Sequence, residues 1–365
     1  MSDDRRPMRH AIALGARGVG RTGRVPSVGC VLVAPDGLIV GRGRTDESGR
    51  PHAEAAALAQ AGGAARGATA YVTLEPCAHQ GSTGGPCADA LIAAGVVRVV
   101  IACGDPDPRT NGQGIAKLKA AGIDVAVGVL KDEAAQTLAG FFMRLADNRP
   151  LVTLKIAQSL DGKTATVSGD SKWITGEEAR RFGHLLRAQN DAILVGVNTA
   201  LADDPELTCR IAGLETYSPI RVVLDTRLRL SDWSKLATTA RDIPTLLFTT
   251  APKGGEKLAA AGVDVIRIAR DARGRPDIGA MLAELAARGI SNLLVEGGAT
   301  VHAAFLDRGL ADRLEIFTAP MTLGAAGHSA IDALAALALD EAPKFTRTSR
   351  REFDTDVLES YVCRA

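Results

Sequence analysis

Residues 51–103 read PHAEAAALAQAGGAARGATAYVTLEPCAHQGSTGGPCADALIAAGVVRVVIAC, and the order of elements in this stretch decides the fold. Positions 52–62 are alanine-rich and predict a helix stopped by Gly62-Gly63. The run 69–74 predicts a strand that enters Glu75-Pro76-Cys77. A second helix is predicted from near Cys87 to Gly95, followed by a strand over 96–102. Upstream, 28–34 and 38–41 read as strands joined by a turn at Pro35-Asp36-Gly37; downstream, a helix over 113–121 and a strand over 123–129 continue the series. Such alternation predicts an α/β domain with helices covering a sheet.

The placement carries chemistry. His52 and Glu54 open one helix, whereas Cys77 precedes another and Cys87 begins it. Two helix N-termini then converge, and each favours anionic ligands such as thiolates. One imidazole and two thiolates (His52, Cys77, Cys87) hold Zn2+ with the fourth position open, as in catalytic zinc sites. Glu54 is placed to move protons at water activated by that ion without being a ligand. This H-x-E…P-C order is the signature of zinc deaminases of nucleobases. Zinc brings the pKa of water to about 7, and the hydroxide attacks an amidine-like carbon bearing an exocyclic amine. Cys30, Cys103, Cys209 and Cys363 have no matching spacing and are read as buried small hydrophobes. His79, in the Cys77–Cys87 loop, stays open between an ordinary loop histidine and a substrate contact.

At 365 residues the chain is too long for one ordinary core, and a boundary is expected near Ala146-Asp147-Asn148-Arg149-Pro150. Beyond it, strands are predicted over 151–157, 192–196, 220–224, 245–249, 263–268, 292–296 and 313–318, with helices over 176–189, 254–261, 278–288 and 299–308. The alanine-rich tail from 325 has no assignable period. Net charge is +1 and aromatics are 4%, so neither a basic groove nor a stacking platform for nucleic acid is present. No apolar run reaches a membrane span, and no secretory h-region is visible. With six cysteines read as reduced thiols, a soluble cytoplasmic protein is expected. Gly18-Val19-Gly20-Arg21-Thr22-Gly23 matches GxGxxG but follows a helical segment, so it is read as a loop and not a dinucleotide site. Gly297-Gly298-Ala299-Thr300 lies between a predicted strand and a helix, where backbone amides can approach a phosphate.

Pro51-His52-Ala53-Glu54, Thr73-Leu74-Glu75-Pro76-Cys77-Ala78-His79 and Cys87-Ala88-Asp89-Ala90 resemble the deaminase half of the bifunctional riboflavin-biosynthesis deaminase/reductase family. Lys155, Ser159-Leu160-Asp161-Gly162-Lys163, Ser171-Lys172-Trp173-Ile174-Thr175, Leu186-Arg187-Ala188, Val197-Asn198-Thr199, Leu201-Ala202-Asp203-Asp204-Pro205 and Val295-Glu296-Gly297-Gly298 resemble its reductase half. The likeness runs over about residues 8–325. It implies a cytidine-deaminase-like three-layer αβα domain over 1–146, followed by a dihydrofolate-reductase-like α/β domain over 150–365. Two departures stand out. Nine residues separate Cys77 from Cys87, one more than the family pattern, so the loop should bulge. Val25 also stands where the family has asparagine, which removes an expected polar substrate contact.

The resemblance also implies roles. The substrate is a small pyrimidine carrying a ribosylamino 5-phosphate, deaminated first and then reduced from ribosyl to ribityl. Ser171, Arg187, Leu207 and Arg210 would surround the ribose phosphate, and Glu296 would touch the substrate. Ala157, Trp173, Thr199, Asp203, Thr226 and the loop Gly298, Ala299, Thr300, Val301, His302, Ala303 and Ala304 would hold NADPH. Asp203 or Lys155 would assist protonation. A homodimer or homotetramer is what the family suggests, with no nucleic-acid or membrane partner. The competing reading is a nucleoside or RNA deaminase fused to a regulatory ligand-binding domain. It predicts ammonia release from cytidine or RNA without NADPH oxidation.

Overall fold

The computed structural model describes residues 4–79 and 85–364, which form two compact units, Met1–Arg149 and Pro150–Ala365. The first unit runs α1 Arg5–Ala16, β1 Gly29–Val33, β2 Ile39–Arg44, α2 Ala53–Ala61, β3 Thr69–Leu74, α3 Cys87–Ala93, β4 Arg98–Cys103, α4 Gln113–Ala120, β5 Asp124–Val127 and α5 Lys131–Ala146. Its sheet has the order β2-β1-β3-β4-β5, antiparallel around β1 and parallel from β3 to β5. The central strands β3 and β4 are buried on both faces, as the runs TAYVTL and RVVIAC require.

Small residues set how closely the helices approach. A Cβ on Gly29 would overlap the Ala11 carbonyl of α1, and one on Gly43 would overlap the Ala53 carbonyl of α2. Gly43 pairs with Cys30, the neighbour of Gly29, so the two glycines face opposite sides of the sheet. Helices α1 and α2 therefore cover opposite faces, giving three layers. Helix α5, which no reading of the sequence anticipated, packs on α1 and β4. The GxGxxG stretch is a series of turns after α1, with Gly20 and Gly23 at positive φ, in line with the loop reading.

The second unit runs β6 Leu151–Ser159, β7 Lys163–Ala165, α6 Glu177–Ala188, β8 Ala192–Gly196, α7 Val197–Asp203, β9 Ile220–Leu224, α8 Lys235–Thr238, β10 Thr245–Thr249, α9 Glu256–Ala261, β11 Asp264–Arg267, α10 Ile278–Ala287, β12 Asn292–Val295, α11 Ala299–Leu306, β13 Arg313–Ala319, β14 His328–Ser329, β15 Phe345–Phe353 and β16 Asp356–Cys363. The large sheet has the order β11-β10-β9-β8-β12-β6-β13-β16-β15. It is parallel from β11 through β13 and closes with the antiparallel β16–β15 hairpin. Strand β8 shows why it is apolar throughout. Ala192 and Leu194 enter one core with α10 and α11, whereas Ile193 and Val195 enter the other with α6 and α8. The hairpin escaped the sequence reading because its first strand, FTRTSRREF, is polar and largely exposed. Cys363 is exposed, against its assignment as a buried hydrophobe; Cys30, Cys103 and Cys209 are buried.

One glycine ties the fold to the metal cradle. Gly114, in the first turn of α4, lies so near Pro76 that a Cβ would overlap the Pro76 carbonyl oxygen. Gly114→Ala should push the Pro76-Cys77 corner outward and cost about 1–3 kcal/mol by overpacking. Urea unfolding is expected to show a lower midpoint for the first unit alone, together with weakened zinc retention.

Candidate active sites

His52 is the N-cap of α2, extended at φ −70°, and Glu54 lies in the first turn. Cys87 is the first residue of α3, after Pro86. Cys77 follows the β3 exit, and this corner is held from α4. The buried Glu75 carboxylate accepts N–H bonds from Gly112 (3.0 Å) and Ile115 (3.1 Å). The three sequence-predicted ligands thus come from separate segments to one point, with ligand atoms all within 4.8 Å of one another.

The distances suit a metal better than a hydrogen-bonded trio. Cys77 Sγ and Cys87 Sγ stand 3.6 and 3.4 Å from the same atom, His52 Nδ1. Zn–S bonds of about 2.3 Å and Zn–N bonds of about 2.05 Å at tetrahedral angles imply an S···N edge of about 3.5 Å. The donor set therefore fits zinc with one position left open. The Cys87 amide at the start of α3 donates to Cys77 Sγ (3.3 Å), which supports a thiolate there.

Electrostatics among the chain's own atoms agree. The Cys87 thiol hydrogen bond, aided by His52, outweighs burial and holds Cys77 down at about 4. Cys87 keeps the shared proton and, being buried as well, is pushed up. The Cys77 sulfur raises the His52 ring against the opposing pull of burial. Burial pushes the Glu54 carboxyl up to about 7, near the range that suits a group taking and returning protons. His79 Nδ1 lies 3.2 Å from Thr110 Oγ1. The expected bulge between Cys77 and Cys87 falls at 80–84, outside the described residues. Val25 is half-buried, its Cγ2 about to touch any Cβ placed on Gly49 (3.0 Å).

In the second unit the helix-facing side of α6 meets the end of β12. Arg187 makes a two-pronged pair with Glu296, Nε to Oε1 at 2.9 Å and Nη2 to Oε2 at 2.8 Å, and its Nη1 donates to the Thr208 carbonyl (3.0 Å). Both side chains are mostly buried, 16% and 10% exposed. Burial alone would raise Glu296, but the Arg187 and Lys155 charges outweigh it and hold it at about 2. Lys155 is lowered by burial, in part offset by Glu296. His184, one turn before Arg187, places Nδ1 3.0 Å from the same Thr208 carbonyl. Sequence reading missed His184, although its i, i+3 spacing to Arg187 puts both on one helix face.

A cradle opens where β8 and β12 end side by side. A Cβ on Gly297 would stand 3.1 Å from the Gly196 amide, and one on Gly196 would meet Val301 at 2.9 Å. The Gly298 amide donates to Thr199 Oγ1 (3.2 Å) at the N-terminus of α11. Such close backbone approach at the carboxyl ends of parallel strands suits the phosphates of a dinucleotide. Gly298, Ala299 and Thr300 are at the open end, Thr300 also bonded to Asp332 (3.0 Å). Val301 packs toward the core and Ala304 is half-buried.

Not every predicted contact keeps its side chain at the site. His302 and Ala303 are buried, and His302 Nδ1 lies 3.0 Å from the Ala330 carbonyl. Leu207 is likewise buried in the core at φ 56°. The apolar interior claims these side chains, so only their backbone remains for a ligand. Ala157 sits half-buried in β6 opposite Phe317. Trp173 is 64% exposed, with the Arg180 guanidinium 4.6 Å over its ring. Asp203 is exposed at the end of α7, and Ser171 is half-buried. The Thr226 carbonyl accepts from Thr249 and Thr250 hydroxyls (3.3 Å each). Arg210 is exposed and only loosely paired with Glu206 (3.4 Å).

Residues 1–103 match the cytidine and deoxycytidylate deaminase zinc-binding region, and residues 150–358 match the RibD C-terminal domain. Fold and sites together define a zinc-dependent deaminase joined to a reductase. The chain is 44% identical to the riboflavin biosynthesis protein RibD of Aquifex aeolicus (88% of each chain) and 41% identical to that of Escherichia coli (96% of each). It superposes on Acinetobacter baumannii RibD with TM-score 0.88 at 38% identity, and on a Thermotoga maritima diaminohydroxyphosphoribosylaminopyrimidine deaminase/5-amino-6-(5-phosphoribosylamino)uracil reductase with TM-score 0.86 at 34%, each over 99% of both chains. The chain belongs to the RibD family, the bifunctional deaminase/reductase enzymes of riboflavin biosynthesis. No helix among the described residues is long and apolar enough to cross a membrane.

Two outcomes follow from this geometry. Zinc must displace protons from its ligands, so affinity falls as the medium becomes more acidic. A chelator-competition titration should give weaker binding at pH 6 than at pH 8, by about tenfold or more. Glu296→Gln should destabilise the second unit by about 3–5 kcal/mol, since it leaves buried cations without a carboxylate. Because the folded carboxyl is depressed, its stabilisation is complete above the ordinary value of about 4.3 and fades as pH falls toward the folded one. Urea midpoints of wild type and variant should differ by a constant amount from pH 7 to about 5 and converge in stronger acid.

Proposed function

We propose that the first unit deaminates 2,5-diamino-6-(ribosylamino)-4-pyrimidinone 5-phosphate and that the second reduces the ribosyl group of the product to ribityl. The observation that carries the first half is the meeting of His52, Cys77 and Cys87 within 4.8 Å, with Glu54 buried in the adjoining helical turn. A bound zinc supplies Lewis acidity that makes water a nucleophile near neutral pH. Glu54 would take one proton from the attacking water and pass it to the ring nitrogen, then carry the second, from the hydroxyl of the resulting adduct, to the departing amine, so that C–NH2 and water become C=O and ammonia. Helices α2 and α3 orient the ligands, and the buried surroundings of Glu54 restrict competing water.

NADPH bound to the second unit would supply the hydride that converts the ring-opened ribosyl imine to ribityl at C1′. The amides around Gly297-Gly298 and the start of α11 hold the cofactor's phosphates, with Thr199, Asp203, Ala157, Trp173 and Thr226 along its length. Arg210 and Ser171 bind the substrate phosphate. Arg187 uses three of its five N–H donors on Glu296 and Thr208, so its main task is to orient Glu296 toward the sugar, with two N–H groups left for the phosphate. Lys155, beside Glu296, or Asp203, at the rim, supplies the proton. The enzyme acts in the cytoplasm as a homodimer or homotetramer.

Glu54→Gln keeps the metal ligands and removes the proton carrier. Ammonia release should fall by about 10²-fold or more. Zinc content and NADPH-dependent reduction of the pre-deaminated compound should stay at wild-type levels. Undiminished deamination by this variant would remove Glu54 from the mechanism.

A further inference from the structure

Arg50 stands two residues before His52 on a closed turn. Asp46 Oδ1 accepts the Ser48 amide (3.0 Å), the Gly49 amide donates to the Asp46 carbonyl (2.9 Å), and the Asp46 amide donates to the Pro51 carbonyl (3.0 Å). The Ser48 hydroxyl lies 2.7 Å from the Arg50 carbonyl. The backbone on both sides of Arg50 is thereby held, and the position of the residue relative to the metal cradle is set.

A cavity of about 600 Å³ opens at this point, with Arg50, His52, Ala55, Cys87, Asp89 and Ala93 in its wall. That volume lies in the range of small-molecule sites, about 300–1,000 Å³. It shares His52 and Cys87 with the ligand set, so a molecule filling it reaches the reacting centre. Most of the remaining wall is proline, alanine and glycine, which leaves recognition to two charged side chains. Asp89 is already neutralised by Lys117 at 2.6 Å. The Arg50 guanidinium makes no hydrogen bond or ion pair with any described residue. Val25, where a polar contact was expected, offers only a methyl group against the same turn.

We infer that Arg50 recognises the 5-phosphate of the deaminase substrate, with the sugar lying in the cavity between that phosphate and the metal cradle. The inference rests on the functional reading above, in which the substrate is a phosphorylated ribosylaminopyrimidine. A guanidinium fork matches two phosphate oxygens, and a half-buried cation with no partner among the described residues has no ion pair there to break on binding an anion. Arg50 is then a specificity residue: it holds the distal phosphate, and the chemistry stays with the metal cradle and Glu54.

The test compares wild type, Arg50→Lys and Arg50→Ala in the full-length, zinc-loaded enzyme. Ammonia release is measured from the phosphorylated diaminopyrimidine and from its dephosphorylated riboside, and NADPH oxidation on the pre-deaminated phosphate serves as the internal reference. For Arg50→Ala, KM for the phosphorylated substrate should rise by about tenfold or more, with kcat within about threefold. The wild-type preference for the phosphorylated compound should collapse, and Arg50→Lys should fall between. That preference is a ratio of two kcat/KM values on one sample, so a reduced folded fraction does not affect it. Unchanged KM and unchanged preference in Arg50→Ala would overturn the inference and leave the functional reading standing. A wild-type enzyme that oxidises NADPH but releases no ammonia from either compound would sink the deaminase reading itself, and this inference with it.

Discussion

The buried carboxylate of Glu75 is the constraint on which the metal cradle depends. It caps the amide groups at the start of α4 and so fixes where the chain leaves β3. Cys77 sits two residues beyond it, and α4 is pressed against Pro76 through a position that only glycine tolerates. Cys87 is then placed by the start of α3, whose amide reaches back to the Cys77 sulfur. His52 arrives from α2, seated on β2 through Gly43. Three ligands from three segments therefore converge because one buried acid and two close glycine contacts leave little freedom elsewhere. A buried carboxylate fully engaged by backbone amides is strongly held, since losing those donors would strand a charge in the interior.

The second unit solves a different problem with the same means. It must hold buried cations, and it does so with one buried carboxylate and one backbone carbonyl. Glu296 holds Arg187 at both prongs, and Lys155 adds a second positive charge on the sheet beside it. The Thr208 carbonyl receives Arg187 and faces His184 from the same side of α6. This ties the 204–210 segment, with Leu207 at positive φ, to the helix. The glycine cradle at the ends of β8 and β12 lies next to this cluster in sequence, since Glu296 is followed directly by Gly297-Gly298. The buried ion pair and the glycine cradle therefore share one strand end.

Local pattern was a good guide where it coincided with burial on both faces of a sheet. The strands at 69–74, 192–196, 220–224, 245–249 and 292–296 were legible because a strand covered by helices is apolar throughout. The hairpin of β15 and β16 was not, because its exposed outer strand carries arginine and glutamate where a period of buried residues would be needed. Helix α5 was missed although its amphipathic spacing is regular, and α1 was seen only in part. Among site residues, the metal ligands were readable because a metal demands particular donors at particular places. The side chains of Leu207, His302 and Ala303 are buried, which the letters did not show, because whether a side chain faces the core depends on how its segment is turned in three dimensions.

The chemistry of this chain was therefore set by residue identity: one imidazole, two sulfurs and one acid in an order that few other functions require, followed by a glycine turn suited to phosphate. Those features are covalent and local, and they survive in a string of letters. The tertiary structure decided which of the remaining groups are free. Arg187 was spoken for by Glu296 and Asp89 by Lys117, whereas Arg50, in the cavity wall with His52 and Cys87, has no ion-pair partner among the described residues. Pairing of charges across 109 positions, or the lack of it, is a property of distance in space, and distance in space is what folding creates.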